Sequence, residues 1–261
     1  MKNVIIVLVL YSSLSLLRLS AQGPSIVADS PIMLGGETMI LRTLIESRKT
    51  TQGTFTSYPL NFQYLTSSNS SVTIQVPFVS FRFDGDGTVD TPFSLGDIAL
   101  EGKYQFYRKD GKARTFRVLA KTRQILPTGK NIDFEGASAG QYQSYFALFA
   151  GYESLKHGIT NELGYQLAPA GNNDELRYRL GFGLPLLKPS YPVNQLNLYF
   201  EYQSSWFTEF NEYLVQYAQG IQYARGRYTI EFAVQVPLAQ SRAFIRQRDY
   251  SILFGSRVIL N

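Results

Sequence analysis

Cysteine is absent from this chain of 261 residues, which excludes disulfide bonds and thiol chemistry. Histidine and tryptophan occur once each, and only 17% of the residues are charged. Beyond residue 17 the chain lacks an apolar run of about 20 residues, the length that a membrane-spanning helix requires. The formal charge of +5 is too small to indicate a nucleic-acid partner. Stability must therefore come from hydrogen bonds and packing.

The start of the chain has the pattern of a cleavable signal peptide. Lys2 supplies the positive charge, residues 4–17 form an apolar stretch, and Leu19-Ser20-Ala21 provides small residues for cleavage. The alternative is an uncleaved anchor helix, although 14 apolar residues are few for a membrane span. Loss of Lys2 and Arg18 leaves 23 basic and 20 acidic residues, a formal charge of +3. We predict a signal peptide over 1–21, a periplasmic leader over 22–36 and one β domain over 37–261.

Apolar and polar residues alternate along much of the remaining chain. The clearest run is 98–107, where Leu100, Tyr104 and Phe106 alternate with Glu101 and Lys103. A period of two residues is typical of a strand with one apolar and one polar face. The 18 Tyr, 18 Phe and 21 Gly also favour strands and turns over helices.

The alternation predicts an all-β fold of about twelve strands, with ten to fourteen compatible with the pattern. The first strand is the least regular, because Arg42 and Glu46 share a face with Ile40 and Leu44. The predicted strands cover 37–48, 54–66, 71–83, 95–108, 113–126, 141–153, 158–168, 174–187, 194–207, 212–224, 227–238 and 249–260.

Strand length distinguishes a transmembrane barrel from a soluble sandwich. About ten residues, tilted by ~40°, cross the ~25 Å apolar band of an outer-membrane barrel, whereas sandwich strands usually have about five or six residues. Aromatic residues near the strand ends are typical of interfacial girdles. We therefore predict a transmembrane antiparallel up-and-down β-barrel in the bacterial outer membrane. The aromatic residues concerned are Tyr64, Tyr142, Tyr152, Trp206, Tyr223, Tyr228 and Tyr250.

The connections between predicted strands alternate in length. Every second connection is mostly a tight turn, such as 109–112 or 225–226. The intervening connections are mostly longer, such as 84–94 and 127–140. Outer-membrane barrels pair short periplasmic turns with longer external loops, so both chain ends are expected on the periplasmic side.

Residues 95–106, LGDIALEGKYQF, followed by Leu126-Pro127-Thr128-Gly129, resemble the outer-membrane barrel family of the meta-pathway of phenol degradation. The likeness is specific over 95–130 and weak over the rest of 54–261. It implies a barrel that passes small molecules, aromatic ones among them, and it supplies no functional residues. The chain departs from many outer-membrane barrels because it ends in Val258-Ile259-Leu260-Asn261 instead of a terminal aromatic.

If the apolar faces contact lipid, thirteen charged side chains face the lumen. One interpretation is a polar translocation path that selects solutes, and the other is a narrow interior filled by paired charges that conducts little. The sequence leaves both open. The predicted lumen residues are Glu101, Lys103, Arg117, Lys121, Arg123, Glu162, Glu175, Arg177, Arg179, Glu201, Arg227, Glu231 and Arg257.

Two predicted outer loops carry charged clusters. Asp84, Asp86 and Asp90 have the close spacing of calcium ligands, but the twelve-residue loop with a distal Glu is missing, so a simple Asp/Gly turn is the favoured interpretation. The other cluster, Arg242, Arg246 and Arg248, has the chemistry to bind phosphates of lipopolysaccharide or an anionic solute, although loop arginines are usually solvated.

We expect no enzymatic activity and no cofactor. His157 lies in a predicted periplasmic turn, far from the outer leaflet, which disfavours a histidine-dependent lipid hydrolase. The first functional hypothesis is a passive or weakly selective channel for small solutes. The second is a non-conducting structural or interaction barrel of the envelope. Expected partners are outer-membrane lipid, lipopolysaccharide, an unidentified solute and the barrel-insertion machinery.

Overall fold

The structure of the chain is a computed structural model. It describes residues 25–29, 37–84, 91–130, 139–168, 174–188, 193–243 and 247–260. The predicted signal peptide lies outside the described residues. Among the residues described, no helix has the length and hydropathy needed to span a membrane.

A single antiparallel sheet closes on itself, which confirms the predicted barrel. Each long strand pairs with the next long strand along the chain, and the first closes the ring by pairing with the last, from Met39 opposite Leu260 to Thr50 opposite Arg248. Twelve long strands form the wall, and a thirteenth, short strand, β4, pairs only with β3. The strands are β1 Thr38–Thr50, β2 Gly53–Leu65, β3 Ser70–Phe83, β4 Thr91–Leu95, β5 Ala99–Gly111, β6 Arg114–Ile125, β7 Gln143–Ser154, β8 Gly158–Leu167, β9 Glu175–Pro185, β10 Asn194–Phe207, β11 Glu212–Arg225, β12 Tyr228–Ser241 and β13 Arg248–Leu260.

The predicted strand 95–108 corresponds to β5, which begins only at Ala99. The short strand β4 was not predicted and lies almost wholly in the predicted 84–94 connection, with Gly96-Asp97-Ile98 between it and β5. The Asp97 carboxylate accepts hydrogen bonds from the backbone N–H groups of Gly129 and Gly140, at 3.0 and 2.8 Å. A Cβ on Gly129 would lie 2.1 Å from the Gly96 carbonyl carbon, so this close approach requires glycine. The Gly96-Asp97 and Leu126-Pro127-Thr128-Gly129 motifs therefore contact each other, and we call this contact the corner.

The outer face of the barrel is apolar, as the alternation predicts. In β5, Leu100, Tyr104 and Phe106 are exposed, whereas Gln105 is buried in the interior. Soluble monomers rarely expose contiguous apolar surface on this scale, which fits a wall facing hydrocarbon. Outward apolar side chains from around the ring are Phe62, Ile74, Phe146, Leu148, Leu163, Ile230, Phe232 and Phe254.

The two ends of the barrel differ in their connections. We call the end with connections 84–90, 126–142, 168–174 and 242–247 the loop end, and the opposite end, where β1 begins and β13 ends, the turn end. At the turn end, β5 and β6 are joined by two residues, as are β11 and β12. Aromatic residues of the predicted girdles are exposed at both ends, Tyr64 and Tyr228 at the turn end and Trp206 and Tyr250 at the loop end.

Apolar side chains fill part of the lumen towards the turn end. Leu65 and Leu119 are almost fully buried there and pack with Phe149 on the inward face of the wall. Ile40 and Tyr145 belong to the same cluster. The inner face is therefore not uniformly polar.

Candidate functional site in the barrel lumen

The first described residues, 25–29, lie inside the barrel and are held by Glu201 of β10. The backbone N–H groups of Ile26, Val27 and Ala28 all donate to the Glu201 carboxylate, Ile26 at 2.8 Å and Val27 at 3.0 and 3.1 Å from its two oxygens. Glu201 is itself buried. A buried carboxylate that accepts several backbone hydrogen bonds fixes the donor segment in place. The sequence did not predict that the leader enters the lumen.

Side chains from four other strands complete the clamp on this lumen segment. Arg42 of β1 donates to the Ile26 carbonyl at 2.9 Å. Lys103 of β5 and Lys121 of β6 both pair with Asp29, at 2.6 and 3.1 Å. Ser25 shares a hydrogen bond of 3.1 Å with Thr160 of β8. The segment is therefore tied to strands on several sides of the barrel.

Two wall glycines leave the space that the lumen segment occupies. A Cβ on Gly220 of β11 would lie 2.5 Å from Cδ1 of Ile26. A Cβ on Gly181 of β9 would lie 2.6 Å from Oγ of Ser25. Ile26 is buried in a cluster with Tyr199 and Leu253. Hydrogen bonds and apolar packing thus both hold the segment in place.

Towards the turn end, the lumen charges are compensated by partners. Glu231 is fully buried and accepts hydrogen bonds from Arg42 at 2.7 Å and Arg257 at 2.6 Å. Glu162 pairs with Arg179 at 3.3 Å and accepts the Tyr145 hydroxyl at 2.5 Å. Buried carboxylates need such partners because an unpaired buried charge is strongly destabilising.

The lumen contains a cavity of about 540 Å³, which residues 26–29 help to line and which extends to Arg48 and Arg248 at the loop end. Its charged lining includes Arg48 of β1, Arg123 of β6, Arg177 of β9 and Arg248 of β13. The size is within the range of about 300–1,000 Å³ typical of small-molecule pockets. We call this space the outer cavity.

The structure places twelve of the thirteen predicted lumen residues within wall strands and the other in a turn. Arg227 occupies the exposed turn between β11 and β12, so its predicted position in the lumen is wrong. β12 begins at Tyr228, one residue later than predicted, so Arg227 is not part of the wall. Arg117 lies in β6 towards the turn end. The role of the thirteen residues in transport stays a prediction. Those that line the outer cavity are Glu101, Lys103, Lys121, Arg123, Glu175, Arg177 and Arg179, and those elsewhere with lumen partners are Glu162, Glu201, Glu231 and Arg257.

The predicted loop arginines do not form one exposed cluster. Arg248 is the first residue of β13, lines the outer cavity and donates to Gln216 at 3.0 Å. Arg242 is buried beside Phe207, with its guanidinium carbon 4.6 Å from the ring centre. These contacts correct the predicted solvent-exposed positions, because both side chains turn towards the barrel. Arg246 lies outside the described residues.

The predicted calcium loop lies largely outside the described residues, which include neither Asp86 nor Asp90. Asp84 directly follows the end of β3 and pairs with Lys49 of β1. Within the described part of the chain, no group of three or more potential ligands is arranged to hold a metal ion. His157 lies in the β7–β8 turn at the turn end, with its ring 5.7 Å from that of Tyr152 and 6.1 Å from that of Phe182.

Sequence reasoning missed the charged residues of β1. Arg42, Glu46 and Arg48 all line the lumen, on the same face as Ile40 and Leu44. The signal was present, because the shared face of these residues was visible in the sequence, but apolar residues on that face obscured it. Ile40 and Leu44 face inward because they pack in the apolar clusters of the lumen.

Comparison with known proteins identifies the fold. No family model matches the chain, and no curated protein matches its sequence. Among solved structures, an outer-membrane channel of Pseudomonas putida F1 has a TM-score of 0.65 at 11% identity, covering 87% of this chain and 97% of that one. The KdgM porin has a TM-score of 0.55 at 8% identity, covering 85% and 99%. The β domain of a Bordetella autotransporter has a TM-score of 0.50 at 14% identity, covering 87% and 100%. The chain therefore has the fold of bacterial outer-membrane β-barrels.

Proposed function

We propose that the protein is a passive, weakly selective channel for small solutes in the bacterial outer membrane. The observation that carries this proposal is the outer cavity, a polar, charge-lined space inside a closed barrel whose outer wall is apolar. A lumen of this kind attracts hydrophilic solutes, and its charged rings select among them. The similar folds of a channel and a porin support the same function.

The lumen segment limits the size of solutes that pass. Residues 25–29 lie in the lumen, where the Glu201 carboxylate holds them. The apolar cluster around Leu119 and Phe149 narrows the lumen towards the turn end. Flux through this barrel is therefore restricted to small molecules, and it increases when the segment leaves its site.

The second candidate is a non-conducting envelope barrel. The paired carboxylates Glu162 and Glu231 and the tight clamp on residues 25–29 favour it, because both fill the interior. The two functions differ in a direct way, since a sealed barrel passes no solute at any driving force.

The solute remains open within the class of small molecules. The resemblance of residues 95–130 to the phenol meta-pathway barrels supports aromatic compounds as one group to test. One KdgM porin structure is a complex with oligogalacturonate, at a TM-score of 0.53 and 8% identity. That ligand supports the inclusion of acidic sugars in the test panel.

Liposome swelling with the purified mature chain tests the proposal. Vesicles that contain the protein are diluted into isotonic arabinose, glucose, sucrose, benzoate or galacturonate, and swelling rates are compared with protein-free vesicles. A channel gives rates that fall as solute size increases. Rates equal to those of empty vesicles for every solute, with the barrel shown to be folded by its heat-dependent gel mobility, would establish the non-conducting alternative.

A further inference from the structure

The outer cavity has an excess of positive charge at its loop end. Four arginines, on β1, β6, β9 and β13, line it together with three wall carboxylates, Glu46, Glu101 and Glu175. Glu101 pairs with Lys103 and Lys121, at 3.4 and 3.6 Å, and the other two acids are engaged by arginines on their own strands. Arg48 binds Glu46 with two hydrogen bonds, at 2.9 and 3.0 Å, and Arg177 does the same to Glu175, at 2.5 and 2.8 Å.

Arg123 has a different environment. Its guanidinium donates to the side-chain oxygen of Gln75, which is a neutral acceptor. No carboxylate of the described residues lies within ion-pair distance of it. A guanidinium has five N–H donors in a planar fork, so most of the hydrogen-bonding capacity of Arg123 is directed at the cavity. The cation is therefore poised for an acidic partner from outside the chain.

The arginine charges also act on one another across the cavity. The charge of Arg123 is attracted by Glu101 and repelled by Arg177 and Arg179. The charge of Arg248 is repelled by Arg48 and Arg177 and attracted by Glu46. Like charges held this close in a partly buried space are costly unless an anion compensates them. Arg123 and Arg177 line the same cavity and their charges repel each other, so an anion between them is attracted by both.

We propose that the outer cavity is a binding site for a small oxyanion, a carboxylate or a phosphate, held between Arg123 and Arg177. Planar arginine forks match the two oxygens of such groups, and charge-assisted hydrogen bonds of this type are stronger than neutral ones. The inference deepens the proposed channel function, on which it rests for its biological purpose, by naming the class of solute. The lumen segment forms part of the lining of the same cavity.

Binding is measured without any flux, by isothermal titration of the detergent-solubilised mature protein. Inorganic phosphate and citrate are the two anionic probes, and choline is the cationic control. We expect both anions to bind the unaltered protein, and choline not to bind. Binding of phosphate alone or citrate alone supports the site and identifies the ligand chemistry. Absence of binding by both anions in low-salt buffer overturns the proposal.

Two substitutions locate the site. Arg123→Gln and Arg177→Gln are each expected to weaken anion binding about tenfold or more, since a hydrogen bond to a charged group contributes about 1.5–3 kcal/mol. Arg177→Lys keeps the charge, loses the fork and is expected to give an intermediate affinity. The matched control is Arg108→Gln, which removes the same charge from an exposed position near the turn end. Equal losses for Arg123→Gln and Arg108→Gln would show a general charge effect and refute the site.

The failure of this inference and of the channel function are distinguishable. A protein that binds phosphate but gives no swelling in any solute has the site without the channel. A protein that gives swelling but binds neither anion has the channel without the site. Circular dichroism and heat-dependent gel mobility confirm that each variant has folded, so loss of binding is assigned to the side chain.

Discussion

Replacing Glu201 by alanine is expected to release the lumen segment and enlarge the channel. The carboxylate is the common acceptor for the backbone N–H groups of Ile26, Val27 and Ala28. Alanine leaves these donors without an acceptor inside the barrel. The Glu201 side chain takes no part in the strand ladder, so β10 keeps its pairing with β9 and β11.

The magnitude follows from the number of bonds lost. A hydrogen bond to a charged group contributes about 1.5–3 kcal/mol, and the lower value for three donors gives about 4.5 kcal/mol. Each 1.4 kcal/mol is a factor of about ten, so the ratio of docked to released segment falls about a thousandfold. The Asp29 contacts with Lys103 and Lys121 remain and oppose full release.

Single-channel recording in planar bilayers is the assay. We expect Glu201→Ala to raise the mean conductance, and deletion of residues 22–29 to raise it at least as much. Glu201→Gln keeps one acceptor oxygen, so its mean conductance is expected to lie between those of the unaltered protein and Glu201→Ala. Glu209→Ala, which removes an exposed carboxylate outside the lumen, is the control. If the deletion variant conducts like the unaltered protein, the segment does not limit flux and this reasoning is refuted.

Three further predictions concern the wall, the corner and the segment. Leu148→Arg puts a charge on the lipid face of β7, where Leu148 is 57% exposed, and is expected to destabilise folding in vesicles by about 2–4 kcal/mol in urea titrations. Phe210→Arg, at a loop residue that is 51% exposed, is the control, and equal stability of the two variants would contradict a membrane-facing wall. Asp97→Ala removes the acceptor for the Gly129 and Gly140 N–H groups, so faster proteolysis of the 126–142 connection is expected, and unchanged cleavage would exclude a role in holding it. Gly181→Ala places a Cβ 2.5 Å from Oγ1 of Thr160 and 2.6 Å from Oγ of Ser25, so a higher conductance is expected, and no change would mean that the contact is adjusted without displacing the segment.

The wall of the barrel was predictable because its physical cause is local. One face of each strand contacts hydrocarbon, so apolar and polar residues alternate along the chain, as in Leu100 to Phe106 of β5. The predicted 194–207 coincides with β10, and most other strand ends differ by one to three residues. The corner at Asp97 was visible only as a motif, because its hydrogen bonds join residues 32 and 43 positions apart.

The contents of the lumen were less predictable because they depend on contacts between distant residues. Residues 25–29 have no periodicity, and their acceptor Glu201 lies 173 to 175 positions away in the chain. Ile40 and Leu44 of β1 face inward because they pack in the apolar clusters of the lumen, which contradicts the rule that inward residues are polar. The alternating rule therefore located most inward charges and missed Arg42, Glu46 and Arg48.

The position of residues 25–29 also constrains how the molecule assembles. This stretch precedes β1 in the chain, yet its acceptor is on β10 and the glycine that accommodates Ile26 is on β11. Contacts of such high sequence separation form slowly, because most of the intervening chain must be ordered first. Residues 25–29, which come before every strand of the barrel, are thus among the last to reach their final position, and their docking ties the stretch before β1 to two of the later strands.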